Sequence, residues 1–238
     1  MSETILIIED DDDLRCIASI ALIEAGYKVL EAPDGARGVD AFHAHQPDLV
    51  VLDIGLGSID GIEVCRRLRA VASTPIVFLT SRADEVDQLV GFAAGADDYV
   101  TKPFSPKLMV ARVGTVLRRG PGEVTKTRYE AGPIAVDTQE RSAIVAGTEL
   151  DLTRTEFDLL AMLIEHPRRV ATRDVLLEGV WGSWYGDDHV VEVHMSRLRR
   201  KVREAGGPRI GIAVRGVGYK LGVSAESARR DRDTDNAR

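Results

Sequence analysis

The chain has few cysteines and lacks the motifs of several common protein classes. Its two cysteines, Cys16 and Cys65, lie in helical patterns without metal-ligand spacing. We therefore expect neither a disulfide framework nor a zinc site, and predict two small buried thiols in a reducing compartment. No Walker A or G-x-G-x-x-G segment follows the first apolar strand, which disfavours a nucleotide-binding enzyme.

Long apolar runs are also missing. No stretch approaches the roughly 18 apolar residues that a membrane-spanning helix needs. The first residues, Met1–Thr4, have neither the basic nor the apolar segment of a secretory signal. We therefore expect a soluble, cytoplasmic protein without a membrane partner.

The net negative charge of the chain comes entirely from its first half. Residues 1–119 contain 12 Lys and Arg against 19 Asp and Glu, a net charge of −7, whereas residues 120–238 contain 19 of each sign. The acidic half alone is a poor nucleic-acid binder. The second half holds five cationic side chains in the seven residues Arg197–Arg203, where phosphate contacts are expected.

Short apolar runs alternate with helical patterns in residues 1–119. Five strands and five helices predict an α/β fold with a doubly wound, five-stranded parallel sheet. The predicted strands are Ile5–Ile8, Tyr27–Ala32, Leu49–Leu52, Ile76–Leu79 and Tyr99–Thr101. The predicted helices are Asp12–Ala25, Ala36–His43, Gly61–Ala70, Glu85–Ala94 and Pro106–Arg119.

A second, α+β pattern follows a segment without periodicity. Residues 120–128 carry Gly and Pro signals and are predicted to be a linker. Residues 129–223 then combine short strands with three helices, of which the first begins at a capping box, Thr153–Glu156, and the third spans about His189–Glu204. Residues 224–238 are charged and non-periodic, so we expect a disordered tail.

Acidic side chains close two apolar strands of the first half. Asp53 ends the run Leu49–Leu52, and the acidic group Glu9-Asp10-Asp11 follows Ile5–Ile8, so that three or four carboxylates are available. Because the carboxyl ends of parallel strands meet at one edge of the sheet, these carboxylates should converge there. Like charges so close together require a cation, and oxygen ligands with room for water suit Mg²⁺.

Two further polar residues follow strands of the same predicted sheet. Thr80 follows Ile76–Leu79, and Lys102 follows Tyr99–Thr101. A carboxylate that accepts a phosphoryl group needs a cation and donors for the transferred oxygens. Mg²⁺, the Lys102 ammonium and the Thr80 hydroxyl would supply them.

These motifs, in this order and spacing, resemble a two-component receiver domain over residues 1–119. The resemblance rests on Glu9-Asp10, Asp53, Thr80-Ser81 and Gly95–Phe104. It implies a flavodoxin-like fold, phosphorylation of Asp53 by a sensor histidine kinase, and a cis Lys102–Pro103 bond. The implied ligands of Mg²⁺ are Asp10, Asp53, the Gly55 carbonyl and, through water, Glu9. The implied phosphate-binding and switch residues are Thr80, Lys102 and Tyr99.

The first half departs from the receiver pattern at the loop after Asp53. Gly57 stands where the family usually has proline. Because glycine costs loop order, we expect a looser loop and a lower affinity for Mg²⁺.

The receiver resemblance also implies a homodimer on phosphorylation, formed through the fourth helix, the fifth strand and the fifth helix. The implied ion pairs join Asp98 to Arg112 and Asp97 to Arg119. A third pair is missing, because Gln88 and Leu108 occupy its positions. The alternative is that these side chains simply face solvent.

The helix His189–Glu204 combines an apolar face with cations. Val191, His194 or Met195, Leu198 and Val202 recur at helical spacing, and Arg197, Arg200 and Lys201 fall outside that stripe. Such a helix can enter a major groove, where arginine addresses guanine or phosphate. A merely solvated basic face is the alternative.

Residues 129–223 resemble the winged helix-turn-helix effector domain of the OmpR/PhoB subfamily. The motifs are Leu152–Phe157, Val180–Gly182, Val191–His194, Arg197–Lys201 and a wing, Val214–Tyr219. The resemblance implies dimers on direct repeats of promoter DNA. The residues expected to contact DNA are His189, His194, Ser196, Arg197, Arg199, Arg200, Lys201 and Arg215. His189 replaces a common arginine, so its phosphate contact should be weaker or pH-sensitive.

The segment 181–188 matches the subfamily's transactivation loop, which touches RNA polymerase. Its aromatic residues are Trp181, Trp184 and Tyr185, of which Trp181 is expected in the core.

These features predict a DNA-binding transcriptional response regulator that is not an enzyme. One alternative is a regulator whose receiver acts only as a phosphorylation-independent dimerisation module. Another is a flavodoxin-like phosphatase or nucleotide-binding enzyme, which the missing nucleotide motifs disfavour.

Overall fold

The computed structural model describes residues 2–57, 59–80, 95–118, 127–182 and 189–222. Their contacts divide the chain into two units, Met1–Arg118 and Arg119–Arg238. No helix within these ranges has the length and apolar character needed to cross a membrane. The predicted helix Glu85–Ala94, most of the predicted linker and the predicted tail lie outside the described residues.

The first unit contains a parallel sheet of five strands in the order β2-β1-β3-β4-β5. The strands are β1 (Thr4–Ile8), β2 (Lys28–Ala32), β3 (Leu49–Asp53), β4 (Ile76–Thr80) and β5 (Asp98–Thr101). Every residue of β3 and β4 is buried, as expected for strands that helices cover on both faces. The predicted doubly wound parallel sheet is confirmed.

Four described helices accompany this sheet. They are α1 (Asp12–Glu24), α2 (Gly35–His45), α3 (Gly61–Arg69) and α4 (Pro106–Arg118). Aspartates cap the first three, since Asp11, Asp34 and Asp60 each accept a backbone N–H group of the first turn. Each cap follows a strand directly or after a short loop, so the carboxyl ends of β1 and β3 are held close to helix starts.

One of the two cysteine predictions was wrong. Cys65 is buried in α3 as expected, but Cys16 is exposed. It lies on α1 beside Ile17 and Ile20, which are also about half exposed. This part of α1 faces solvent although its side chains are apolar. The apolar character of cysteine therefore did not predict the exposure of Cys16.

The second unit begins with an antiparallel sheet. Its strands run in chain order as β6 (Arg128–Ala131), β7 (Ile134–Asp137), β8 (Ser142–Val145) and β9 (Thr148–Glu149). Strand β6 was not predicted, and it starts at Arg128, inside the predicted linker. Its burial alternates between exposed and buried residues, but only Tyr129 and Ala131 supply the apolar face, which is too short a pattern to recognise.

Three helices and a small sheet complete the second unit as a winged-helix-type fold. The helices are α5 (Arg154–Glu165), α6 (Arg173–Trp181) and α7 (His189–Glu204). The strands β10 (Ala171–Thr172), β11 (Ile212–Val214) and β12 (Gly218–Lys220) pair in the order β10-β12-β11. The predicted capping box is confirmed, because the Thr153 side chain and the Glu156 side chain each accept the other residue's backbone N–H.

Candidate functional site

Three carboxylates meet at the carboxyl ends of β1 and β3. One oxygen from each of Glu9, Asp10 and Asp53 lies within 4.8 Å of the others. Glu9 and Asp53 are buried, with 0% and 5% of their surfaces exposed, whereas Asp10 is exposed. The neighbouring order of β1 and β3 brings these residues together, as the strand pattern predicted.

Lys102 is the cation of this acidic pocket. Its Nζ lies 2.7 Å from Glu9 Oε2 and 3.1 Å from Asp53 Oδ1. Burial raises the pKa of Glu9, and the charge of Asp53 acts in the same direction, while the hydrogen bond from Lys102 opposes both. Burial also acts to lower the pKa of Lys102, but hydrogen bonds to Glu9 and Asp53 leave it above its ordinary value.

The donor set of the acidic pocket fits Mg²⁺. It offers carboxylate oxygens only, and one ammonium among the described residues does not balance three carboxylates. The exposed Asp10 leaves room for water, which Mg²⁺ retains. Gly55 lies beside the pocket, since a Cβ there would be 3.4 Å from Asp53 Oδ2.

Thr80 and Tyr99 lie on β4 and β5, the two strands that follow β3 in the sheet order. Thr80 is 2% exposed at the end of β4, and its carbonyl accepts the N–H of Lys102 at 2.6 Å. Tyr99 is half-buried in β5, where it pairs in register with Phe78. The Lys102–Pro103 peptide bond is cis, which confirms that prediction.

The expected dimer-face carboxylates are buried and paired within the chain. Asp97, fully buried, accepts Arg69 Nη2 at 2.6 Å and the Ile76 N–H at 3.0 Å. Asp98, also fully buried, lies 3.4 Å from Arg112 Nη1. The alternative that these side chains simply face solvent was therefore wrong for Asp97 and Asp98, and the pairing of Asp97 with Arg69 at the end of α3 was not predicted. The use of this face in a dimer stays a prediction. Gln88 and Arg119 lie outside the described residues, and Leu108 is 41% exposed on α4.

The inner face of α7 is apolar, with one polar exception. Val190, Val191, His194, Met195, Leu198 and Val202 are buried. His194 is 0% exposed, and its ring lies 5.6 Å from that of Trp181. The prediction that His194 contacts DNA was therefore wrong, because its ring belongs to the core. Trp181 ends α6 and is 1% exposed, so it lies in the core and not in the loop; Trp184 and Tyr185 lie outside the described residues.

Two cations of α7 reach a buried glutamate on α5. Lys201 Nζ lies 2.7 Å from Glu156 Oε2 and also donates to the Asp151 carbonyl at 2.6 Å. Arg197 Nε lies 3.5 Å from Glu156 Oε1, and only 13% of the Arg197 side chain is exposed. These contacts fix α7 against α5, so the expectation that Lys201 and Arg197 point outward was wrong.

Arg199 reaches the opposite flank of α7. It donates to the carbonyls of Ile210 and Gly211, and its guanidinium lies 5.5 Å from the centre of the Tyr219 ring. Arg199 thus joins α7 to the strands of the wing. Its assignment as a DNA contact does not agree with this inward geometry.

Four exposed residues form the outer face of α7. His189, Ser196, Arg200 and Arg203 are separated by seven, four and three residues, so they lie along one side of the helix. The Arg200 side chain is 58% exposed. Arg203 was not named individually as a DNA contact, although its helical position away from the apolar stripe predicts that it faces outward.

A cleft of about 610 Å³ separates the wing from the beginning of α6. Arg173, Glu192 and the exposed Arg215 are among the residues that line it. Arg173 was also missed; it directly follows Thr172, the N-cap of α6. Cations therefore lie on the outer face of α7 and on both sides of this cleft.

Both units of the chain match known protein families. The family model for the response regulator receiver domain matches residues 5–114, and that for the C-terminal part of transcriptional regulatory proteins matches residues 147–221. The chain is 43% identical over 224 residues to the DNA-binding response regulator MtrA of Mycolicibacterium smegmatis, covering 93% of this chain and 98% of that protein. It is 43% identical over 230 residues to the transcriptional regulatory protein CseB of Streptomyces coelicolor, covering 91% and 97%.

A solved structure is similar over most of the chain. A mutant of RitR matches with a TM-score of 0.72 and 26% identity, covering 92% of this chain and 99% of that one. With the receiver fold, the acidic pocket and the winged-helix-type unit, these matches show that the chain belongs to the family of DNA-binding transcriptional response regulators of two-component systems, with an OmpR/PhoB-type C-terminal domain.

Proposed function

We propose that a sensor histidine kinase phosphorylates this regulator on Asp53 and that Mg²⁺ supports the transfer. The observation that carries the proposal is the convergence of Asp53 with Glu9, Asp10 and Lys102 in one pocket. An Asp53 oxygen attacks the phosphorus atom of the kinase phosphohistidine, the P–N bond breaks, and its electron pair remains on the histidine nitrogen. The aspartyl side chain becomes an acyl phosphate.

The residues around Asp53 have separate tasks in this transfer. Asp10, Asp53 and the Gly55 carbonyl would bind the metal, and Glu9 would hold it through water. Bound there, Mg²⁺ would supply positive charge against the phosphoryl oxygens. Lys102, now 3.1 Å from Asp53 Oδ1, is placed to pair with the new phosphoryl oxygens. The Thr80 hydroxyl would donate a hydrogen bond to a phosphoryl oxygen. Tyr99 on β5 would act as the switch residue that responds to phosphorylation. The protein turns over no independent substrate in this scheme, so we do not assign it an enzymatic role.

Labelling with acetyl phosphate tests the phosphorylation. Wild-type protein with Mg²⁺ should gain one phosphoryl group by intact mass, and Asp53→Asn should gain none. Asp60→Asn is the matched control, because Asp60 caps α3 nearby but lies outside the three-carboxylate pocket. Equal labelling of wild type and Asp53→Asn would contradict the proposed acceptor.

The second part of the proposal is phosphorylation-dependent binding to promoter DNA. The receiver would dimerise on phosphorylation, and two second units would occupy direct repeats, so that two weak contacts act together. We assign DNA contacts to His189, Ser196, Arg200 and Arg203 on α7 and to Arg215 on the wing. Contact with RNA polymerase through residues 183–188 rests on the subfamily resemblance alone, and a cytoplasmic location follows from the DNA target.

Selection of bound fragments from genomic DNA tests this part. The phosphorylated protein should enrich fragments that contain two repeats in the same orientation, and sedimentation should show a dimer only after phosphorylation. Enrichment of single sites by a phosphorylated monomer would contradict the dimer model.

A further inference from the structure

The loop after Asp53 is hydrogen-bonded to the side chain of Asp10, two residues after the end of β1. The N–H group of Gly57 donates to Asp10 Oδ2 at 3.1 Å, across 47 residues of sequence. Asp10 is the exposed member of the acidic pocket. The hydrogen bond therefore ties the loop between β3 and α3 to one of the proposed metal ligands.

We propose that the Gly57 N–H group orients Asp10 for Mg²⁺ and thereby raises the affinity of the pocket for the metal. This inference deepens the function proposed above and rests on it. A carboxylate that accepts a hydrogen bond through Oδ2 retains Oδ1 for a cation, and the bond restricts rotation of the carboxylate. Partners of this kind, which hold a ligand without touching the metal, commonly support metal affinity.

The loop has anchors that make such an orientation effective. Ile54 and Leu56 are buried, and the Gly61 N–H donates to the Ile54 carbonyl at 3.1 Å. Gly61 approaches β3 so closely that a Cβ there would lie 2.0 Å from the Asp53 carbonyl oxygen. The backbone on both sides of Gly57 is thus held against the strand that carries Asp53.

This geometry reverses the sign of the expectation drawn from the sequence. Glycine in place of proline was expected to loosen the loop and to lower the affinity for Mg²⁺. Proline, however, has no N–H group and could not donate to Asp10. The usual residue of the family would therefore remove a contact that this chain makes.

Position 57 offers a matched pair of substitutions. A Cβ there would lie 3.5 Å from Asp10 Oδ2, an ordinary contact, and Gly57 does not have a positive φ. Gly57→Ala therefore adds a methyl group and keeps the donor, whereas Gly57→Pro removes it. Comparison of the two variants distinguishes the effect of losing the hydrogen bond from the effect of replacing glycine.

Calorimetric titration of Mg²⁺ into the full-length, unphosphorylated protein tests the proposal. Gly57→Ala should bind Mg²⁺ within about twofold of wild type, and Gly57→Pro about tenfold more weakly. Affinity of Gly57→Pro equal to or above that of wild type overturns the inference but leaves the proposed function intact. Failure of wild type to bind Mg²⁺ overturns both.

Hydrogen exchange of the Gly57 amide provides a readout that does not depend on how Gly57→Pro folds. In metal-free wild type this amide should exchange about tenfold more slowly than in Asp10→Ala, because the acceptor is lost in the variant. Equal exchange rates in the two proteins would show that the hydrogen bond is not formed and would overturn the proposal.

Discussion

Each unit of the protein contains a glutamate with no exposed surface and a lysine 2.7 Å away. In the first unit Glu9 pairs with Lys102, and in the second Glu156 pairs with Lys201. Glu9 has two more carboxylates beside it, whereas Glu156 has a second cation, Arg197. The first cluster therefore has an excess of negative charge that favours a metal ion. In the second cluster two cations more than offset the one carboxylate, and their contacts join two helices. The surroundings, not the ion pair itself, distinguish the proposed phosphorylation site from a structural cluster.

The largest expected effect is the loss of the Glu156 cluster. Glu156→Ala leaves Lys201 and Arg197 without their carboxylate and also breaks the capping box of α5. Because both cations keep some exposure to water, we expect the lower end of the usual range, about 3 kcal/mol of lost stability. Both tryptophans of the chain, at positions 181 and 184, lie in the second unit, so denaturant unfolding followed by tryptophan fluorescence measures this unit.

Glu192→Ala is the matched control for this prediction. Glu192 is an exposed glutamate on α7, and its removal should change the unfolding free energy by less than about 0.5 kcal/mol. Equal losses for the two variants would mean that the buried cluster is no more important than a surface charge.

The next effect concerns the excess negative charge of the first cluster. Mg²⁺ at about one hundred times its dissociation constant should stabilise the first unit by about 2.7 kcal/mol and leave the second unchanged. Hydrogen exchange read separately for residues 2–57 and 127–182 measures the two units in one sample. Equal protection of both units from hydrogen exchange by Mg²⁺, or protection of neither, would contradict the proposed difference between the two clusters.

The strand ends were the part of the site that sequence could predict. A carboxylate that directly follows an apolar parallel strand lies at the carboxyl edge of the sheet. Two such strands in one sheet were therefore enough to predict that Asp53, Asp10 and Glu9 lie close together. The capping box at Thr153 and Glu156 was equally local. Both rules depend on residues close in sequence, and both agree with the structure.

The direction of the α7 cations could not be predicted in the same way. Helical spacing identified the buried stripe, but Arg197 and Lys201 lie on one flank of it and Arg199 on the other. Whether a flanking side chain points to solvent depends on Glu156 or Tyr219, which come from distant parts of the chain. Asp97, directly before β5, shows the same limit, because its partner Arg69 lies at the end of α3.

A smaller effect separates outward from inward cations of α7. Arg200→Ala should weaken DNA binding by about 1 kcal/mol and reduce the slope of log affinity against log salt by about 1, since one phosphate contact is lost. Lys201→Ala should instead lower the stability of the second unit and leave that slope unchanged. Binding titrations at several salt concentrations measure both. A reduced slope for Lys201→Ala, with normal stability, would place that ammonium on DNA.

The smallest effect tests a buried polar group that carries no charge at neutral pH. Burial raises the pKa of Tyr129 above its ordinary value of 10.0, and the nearby Glu165 acts in the same direction through its charge and a hydrogen bond. A pKa raised by folding adds stability that is fully present below the unfolded value and is lost as the pH rises through the folded one. Wild type should therefore lose stability faster than Tyr129→Phe above about pH 10, while the difference between them stays constant at lower pH. Unfolding free energies of the second unit across this range measure the effect, and parallel pH profiles would show that Tyr129 titrates as it does in the unfolded chain.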